Sequence, residues 1–416
     1  KVLIKKSSII PYPKPIIKGQ KKELVEQSKI DDSKKFNKKI IIKNDIAKKE
    51  NKIVFILPLK KPKTYKVLDQ KTQEKSNILN EKDFIKAKEV FKLINAKKWN
   101  SALKVSKKVK DKNFRDLISW MYLKTTGNQA SFNDYKTFIE KNNNYPRIGR
   151  LQYLAEHKIY LRNNSPTLII NWFEKYPPTS GMGKIKLAEA YLEQDKIDKV
   201  SILIKEGWVN ADIGKNDLSY YRGKFKKFLT SEDHIKRADR LAWETKYWDL
   251  KRMLRYLPKD EKALYNARQI LMSNSYGVDR SISSVPNHLK DNIGLEYDRL
   301  KWRNRRGRLE QSLEILYKNS NKSEDELVRG DLWWKQRESI VRNLIYKKKY
   351  KTAYKVASEH SLSSGPNFAE AEWLSGWISH AFLGSQEYAI NHFLNFYDNV
   401  SYPISLARGA YWLGKS

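Results

Sequence analysis

FAEAEWLSGWISHAFLGSQEYAINHFLNFYDNVSYPISLARGAYWLGKS, residues 368–416, decides the fold class. It reads as one helix, a short turn, a second helix, a proline-containing link and a third helix. Each helix exposes an apolar stripe that only a neighbouring helix can cover, so such units work in pairs. The third helix has no partner within the sequence, and the expectation is that the protein continues beyond Ser416.

Working towards the N-terminus, the same pattern recurs from Phe84 onward. A polar turn is followed by an apolar residue, a small or apolar one three later and another four after that, which places all three on one helix face. Phe132, Tyr135 and Ile139 show it, as do Ile197, Val200 and Ile204, Tyr247, Leu250 and Leu254, and Tyr350, Ala353 and Ala357, while Leu309, Leu313 and Leu316 share one face with the two steps reversed. With Ala102, Tyr135, Ile169 and Val200 as markers the spacing is 33, 34 and 31 residues, close to the ~34 of helical-hairpin arrays. Later spacings widen, to 50 from Val200 to Leu250, 41 from Ser312 to Ala353 and 36 from Ala353 to Ala389. The fold class is therefore all-α, an α-solenoid or superhelix of helical hairpins over residues 81–416, irregular in its second half.

Helix boundaries agree. Thr230-Ser231-Glu232-Asp233 places hydroxyl and carboxylate groups at the start of a helix, and Ser323-Glu324-Asp325-Glu326 forms a capping box ahead of one expected over 327–346. Pro146, Pro166, Pro177, Pro178, Pro258, Pro286, Pro366 and Pro403 fall between periodic segments and punctuate helix ends.

Residues 1–80 differ. Five prolines among 22 lysines, without sustained helical period, predict an extended arm of low order. Its 8 acidic residues leave a charge of +14, and the other +22 of the net +36 is spread over the remaining 336 residues. Such a balance favours an anionic partner: nucleic acid, anionic lipid or an acidic polymer such as peptidoglycan. A solvated lysine surface with no dedicated ligand accounts for it equally well. No run of 18 apolar residues occurs, so no transmembrane segment is expected.

Catalytic patterns are scarce. The chain has no cysteine, which excludes disulfides and thiol nucleophiles, and its six histidines form no HExxH or i, i+4 pair, so neither metal nor cofactor is expected. Ser180-Gly181-Met182-Gly183-Lys184 has glycines at a helix start but not the spacing of a phosphate loop, and reads as a turn. Two basic and aromatic clusters offer binding chemistry. Arg299, Trp302, Arg303, Arg305, Arg306 and Arg308 crowd one helix end, and Trp333, Trp334, Arg337 and Arg342 share the next helix. Arginine beside tryptophan grips a sugar face or a carboxylate by stacking and bidentate bonding. The alternative, inter-helix packing with tryptophan in the seam, is the more common use of large aromatics at helical spacing.

The segment Phe368-Ala369-Glu370-Ala371-Glu372-Trp373-Leu374-Ser375-Gly376-Trp377, with Ala389, His392-Phe393 and then Pro403-Ile404-Ser405-Leu406-Ala407-Arg408-Gly409-Ala410-Tyr411-Trp412-Leu413-Gly414, resembles the soluble lytic murein transglycosylases. Trp333-Trp334 to Arg342 and Tyr350-Lys351-Thr352-Ala353-Tyr354 are similar to that family's preceding hairpin. The resemblance is specific over about the last 90 residues and architectural back to Phe84.

It implies a horseshoe- or ring-shaped superhelix that carries a lysozyme-like catalytic domain on its C-terminal side, in the periplasm. In that family one glutamic acid protonates the glycosidic oxygen between N-acetylmuramic acid and N-acetylglucosamine, and the muramyl 6-hydroxyl closes an anhydro ring. The family's catalytic Glu-Ser is followed by a Gly-Leu-Met-Gln segment; here Glu338-Ser339 stands without it, so no catalytic role passes to Glu338 and the catalytic domain is expected beyond Ser416. The expected partners are peptidoglycan glycan strands and that catalytic domain. The candidate substrate contacts are Arg299, Trp302, Arg303, Arg306, Trp333, Trp334, Arg337 and Arg408. The alternative is a helical-repeat scaffold for protein partners without enzyme activity. Nucleic acid is not expected as a partner, because no fixed pair of polar residues recurs in every repeat as base-reading repeats require.

Overall fold

The computed structural model describes residues 76–273 and 276–416; the arm expected over 1–80 lies outside the described residues except for its last five. Among the described residues there are twenty-one α-helices and no strand. In chain order they are α1 (Glu81–Asn95), α2 (Trp99–Ser106), α3 (Lys112–Lys124), α4 (Phe132–Lys141), α5 (Ile148–Glu156), α6 (Pro166–Lys175) and α7 (Gly181–Leu192). Then come α8 (Ile197–Asn210), α9 (Lys215–Lys224), α10 (Ser231–Trp243), α11 (Tyr247–Met253), α12 (Lys259–Leu271), α13 (Val278–Ser283) and α14 (Ile293–Arg305). The last seven are α15 (Leu309–Lys318), α16 (Glu324–Leu327), α17 (Gly330–Tyr346), α18 (Tyr350–Ser358), α19 (Gly365–Ile378), α20 (Gln386–Asp398) and α21 (Pro403–Lys415).

Helices in close contact are at most four places apart in chain order. One layer runs α3, α5, α7 and again α10, α12, α14, α17, α19, each packed on the next, and α8 joins the two runs by packing on both α7 and α10. The repeat markers Ala102, Tyr135, Ile169, Val200, Leu250, Ser312, Ala353 and Ala389 lie on helices outside those two runs and are all essentially inaccessible to solvent. The widened spacings have visible causes. Between Val200 and Leu250 the extra helix α9 is inserted, and between Ser312 and Ala353 the four-residue α16. Three apolar clusters follow one another along the stack, the first around Val90 and Ile118, the second from Leu123 to Trp302 and the third from Trp243 to Ile378.

Five hairpins close by the same backbone device. The residue two before the second helix is left-handed: Lys97 (φ 58°), Asp195 (54°), Thr245 (58°), Gly307 (69°) and Lys348 (57°). The following amide then reaches back five residues, Lys98 to the Leu93 carbonyl (2.9 Å), Lys196 to Tyr191 (3.0 Å), Lys246 to Leu241 (2.9 Å), Arg308 to Arg303 (3.0 Å) and Lys349 to Leu344 (2.9 Å). This is a Schellman closure, which satisfies carbonyls that the ending helix leaves open. Four of the five left-handed positions lack glycine, so each carries roughly 1 kcal/mol of backbone strain.

Capping follows the sequence in most places. Thr230 and Asp233 form a reciprocal capping box at α10. The box at Ser323 and Glu326 also forms, but it opens only α16, because Val328 turns left-handed (φ 63°) and breaks the helix expected over 327–346 before α17 begins at Gly330. Pro166, Pro366 and Pro403 sit in the first turn of their helices, where the missing N–H costs nothing. Helices α7 and α8 approach closely: a Cβ at Gly181 would lie 2.3 Å from the Ala211 amide nitrogen, and one at Gly207 2.9 Å from the Gly181 carbonyl. Backbone meets backbone there, so no rotamer change makes room.

Glycine at the strained turns relieves the left-handed cost. Lys97→Gly and Lys348→Gly are each expected to raise the unfolding free energy by about 0.5–1 kcal/mol, and Gly307→Ala to lower it by about 1 kcal/mol, as read by urea denaturation.

Candidate functional site

Stacking buries some helix ends, and two of the buried charges, Glu156 and Arg237, serve such ends. Glu156, fully buried at the end of α5, accepts from the Thr179 amide (2.6 Å), the Thr179 hydroxyl (2.9 Å), the Ser180 amide (2.8 Å) and the Ser180 hydroxyl, at the positive end of α7. Gly183 of the Ser180–Lys184 turn is explained by this carboxylate, since a Cβ there would sit 2.4 Å from Glu156 Oε2, while Gly181 is required by the Ala211 backbone. The anion site that a helix start offers is thus filled from within.

Arginines do the converse at helix C-termini. Arg237 of α10 donates Nη1 to the Trp208 and Ala211 carbonyls at the end of α8, the latter at 2.9 Å. Arg305 at the end of α14 reaches the Leu271, Met272 and Ser273 carbonyls at 3.2, 3.2 and 2.8 Å. Arg268 of α12, fully buried, bridges two helices: Nη1 is 2.6 Å from Asp239 of α10 and Nε 2.7 Å from Asp298 of α14. A Cβ at Gly294 would meet that guanidinium at 2.4 Å.

The second cluster expected to grip a ligand is packed inside. Trp333 and Trp334 are fully buried, and Arg337, 1% exposed, donates Nη1 to the Val356 carbonyl at 2.9 Å. Burial pushes the Arg337 guanidinium down to about 10. These three side chains have the packing role. Glu338, next to Ser339, pairs with Arg342 one turn on, Nε to Oε1 2.9 Å.

The first cluster lies differently. Arg299, Trp302 and Arg303, with Arg308 from the following turn, line a cavity of about 170 Å³ closed on its other side by α12 and α13. Trp302 forms a wall, with the guanidinium carbons of Arg308 and Arg306 4.8 and 5.7 Å from its ring centre. Arg408 is elsewhere, at a depression of about 440 Å³ between the start of α19, the end of α20 and α21. Its guanidinium carbon rests 3.6 Å from the Trp373 ring centre, and Trp373 lies parallel to Trp377 (6.0 Å, 8°) and edge-on to Trp412 (6.0 Å, 75°). The expected contacts are thus divided among a cationic cavity, the core and an aromatic end surface.

One network escaped the sequence reading. Glu372, buried on α19, accepts from His360 Nε2 (3.0 Å), His392 Nδ1 (2.7 Å) and Asn395 Nδ2 (3.2 Å). The Leu362 amide donates to His360 Nδ1 (3.0 Å), which leaves the proton on Nε2, and His392 Nε2 lies 3.0 Å from the Tyr354 hydroxyl. Burial raises the Glu372 carboxyl, but the hydrogen bonds from His360 and His392 outweigh it and bring it down to about 2. The histidines are scattered in sequence and meet only because α18, α19 and α20 pack together. No group of three or more residues suited to hold a metal ion occurs among the described residues.

The chain matches no protein-family model and no curated protein.

Two outcomes test these assignments. Because the Glu372 carboxyl is depressed when folded, its stabilisation is full above its ordinary value of 4.5 and is lost as pH falls towards about 2. Glu372→Gln is expected to be less stable at pH 7 and to flatten the acid limb of stability between pH 4.5 and about 2, as followed by circular dichroism. Arg337→Met trades a buried charge for an apolar side chain of similar length. It is expected to unfold within about 1 kcal/mol of the parent, or above it, and to bind ligand unchanged.

Proposed function

We propose that this chain is the non-catalytic helical part of a peptidoglycan lytic transglycosylase and holds murein strands. The observation that carries the reading is the C-terminal unit. Residues 368–416, which resemble that family, form three packed helices, α19 to α21, with the Trp373, Trp377 and Trp412 indoles and Arg408 gathered on one surface. Partly exposed indoles stack on sugar faces, while guanidinium groups pair with the carboxylates of cell-wall peptides. The net charge of +36 adds a long-range attraction for such an anionic polymer.

In this reading the chain contributes binding, whereas glycosidic cleavage belongs to a separate catalytic unit and takes place in the periplasm. A horseshoe or ring of helices would guide a glycan strand towards that unit. Glu338 supplies no acid catalyst, since it is engaged with Arg342 on a helix of the repeat.

Purified chain incubated with murein sacculi is expected to co-sediment, to be released as salt rises, and to liberate no anhydro-muropeptides by chromatography. Failure to sediment at low salt sinks the reading; turnover by the chain alone sinks its non-catalytic part.

A further inference from the structure

The cavity walled by α12, α13 and α14 holds charges that the fold leaves unmatched. Arg299 is neutralised by Glu296, Nη1 to Oε1 2.7 Å. Arg303 gives Nη1 to the Gln311 carbonyl (2.7 Å), and its nearest carboxylate, Glu314, is 3.6 Å away. Arg308 has no carboxylate partner among the described residues; its guanidinium lies against Trp302 instead. Burial, and after it the neighbouring charge of Arg299, pushes Arg303 below its ordinary value, with Arg308 adding to the effect. Three guanidinium groups are crowded here, and Arg308 alone of them has no carboxylate beside it among the described residues.

The same cavity has an anion on its rim. Asp279, in the first turn of α13, lines it and forms no ion pair among the described residues. An unpaired carboxylate and an unpaired guanidinium thus face one volume of about 170 Å³ without bonding each other. A bare dianion such as phosphate would be drawn to Arg303 and Arg308 but repelled by Asp279. A ligand that carries both a carboxylate and an ammonium satisfies both ends. The volume suits a group of amino-acid size and is too small for a glycan chain.

We propose that this cavity binds an α-amino carboxylate, with Arg308 and Arg303 holding the carboxylate, Asp279 the ammonium and the Trp302 indole packing beside the carbon between them. The proposal deepens the murein reading and rests on it only for the natural source of the ligand, the free amino and carboxyl groups of cell-wall peptides.

Soluble probes test the cavity without murein. The whole chain is titrated with alanine, acetate, ethylamine and inorganic phosphate, with tryptophan fluorescence and calorimetry as readouts. Alanine is expected to bind at least about tenfold more tightly than any of the other three, since each lacks one of the two charges or carries an unfavourable one. Arg308→Ala, at an exposed position and expected to keep its helix content by circular dichroism, is expected to weaken alanine about tenfold, and Asp279→Asn to weaken alanine while strengthening acetate. Alanine no tighter than phosphate or acetate, or unaffected by Arg308→Ala, overturns the proposal. Sacculus binding by the same proteins separates the two readings: alanine binding without sacculus binding upholds the cavity and removes murein, and sacculus binding without alanine binding does the reverse.

Discussion

Buried helix ends are the constraint from which the rest of this structure follows. A stack of short helices places many termini against neighbouring helices, and each terminus has backbone groups without an intrahelical partner. Water cannot reach those that are covered, so side chains from adjacent helices must. Glu156 at the start of α7 and Arg237 at the end of α8 serve this purpose, with charges of the sign that each helix dipole favours. The five Schellman closures complete the accounting within hairpins, at the cost of left-handed backbone at residues such as Thr245.

That requirement also sorts the arginines. Those that cap or bridge, Arg237, Arg268 and Arg337, are enclosed and belong to the scaffold. Arg303 and Arg308 remain at the rim of a cavity, Arg308 without a carboxylate partner among the described residues, and Arg408 lies on the indole of Trp373 at the end of the described stack. Basic composition alone does not distinguish the two sets, because an enclosed guanidinium and one open to a ligand look alike in sequence. The functional reading rests on the second set.

Much of the fold was legible. Ala102, Tyr135, Ile169 and Val200 marked alternate helices, α2, α4, α6 and α8, because a small or apolar residue is forced where two helices meet, and that demand repeats with the unit. The hairpin turns were harder to read, since lysine, aspartate and threonine occupy positions where glycine would have announced them. The helix break at Val328 was hidden for the same reason: a β-branched residue in left-handed backbone contradicts local preference and is held by its surroundings. The site was legible only in its residue types. Trp302 and Trp333 look equivalent in sequence, yet one walls a cavity and the other is sealed in the core.

By itself the sequence determined the all-helical class, the hairpin period, the capping boxes at Thr230 and Ser323 and the excess of positive charge, because these depend on contacts within about four residues or on composition. Tertiary structure alone decided which charges are buried and with whom. Glu372 meets His360 and His392 across 12 and 20 residues, Arg268 meets Asp239 and Asp298 across 29 and 30, and Asp279 comes to share a cavity with Arg308. Such meetings depend on how each helix is rotated and seated on the next, which the sum of apolar packing along the stack sets and no local pattern records.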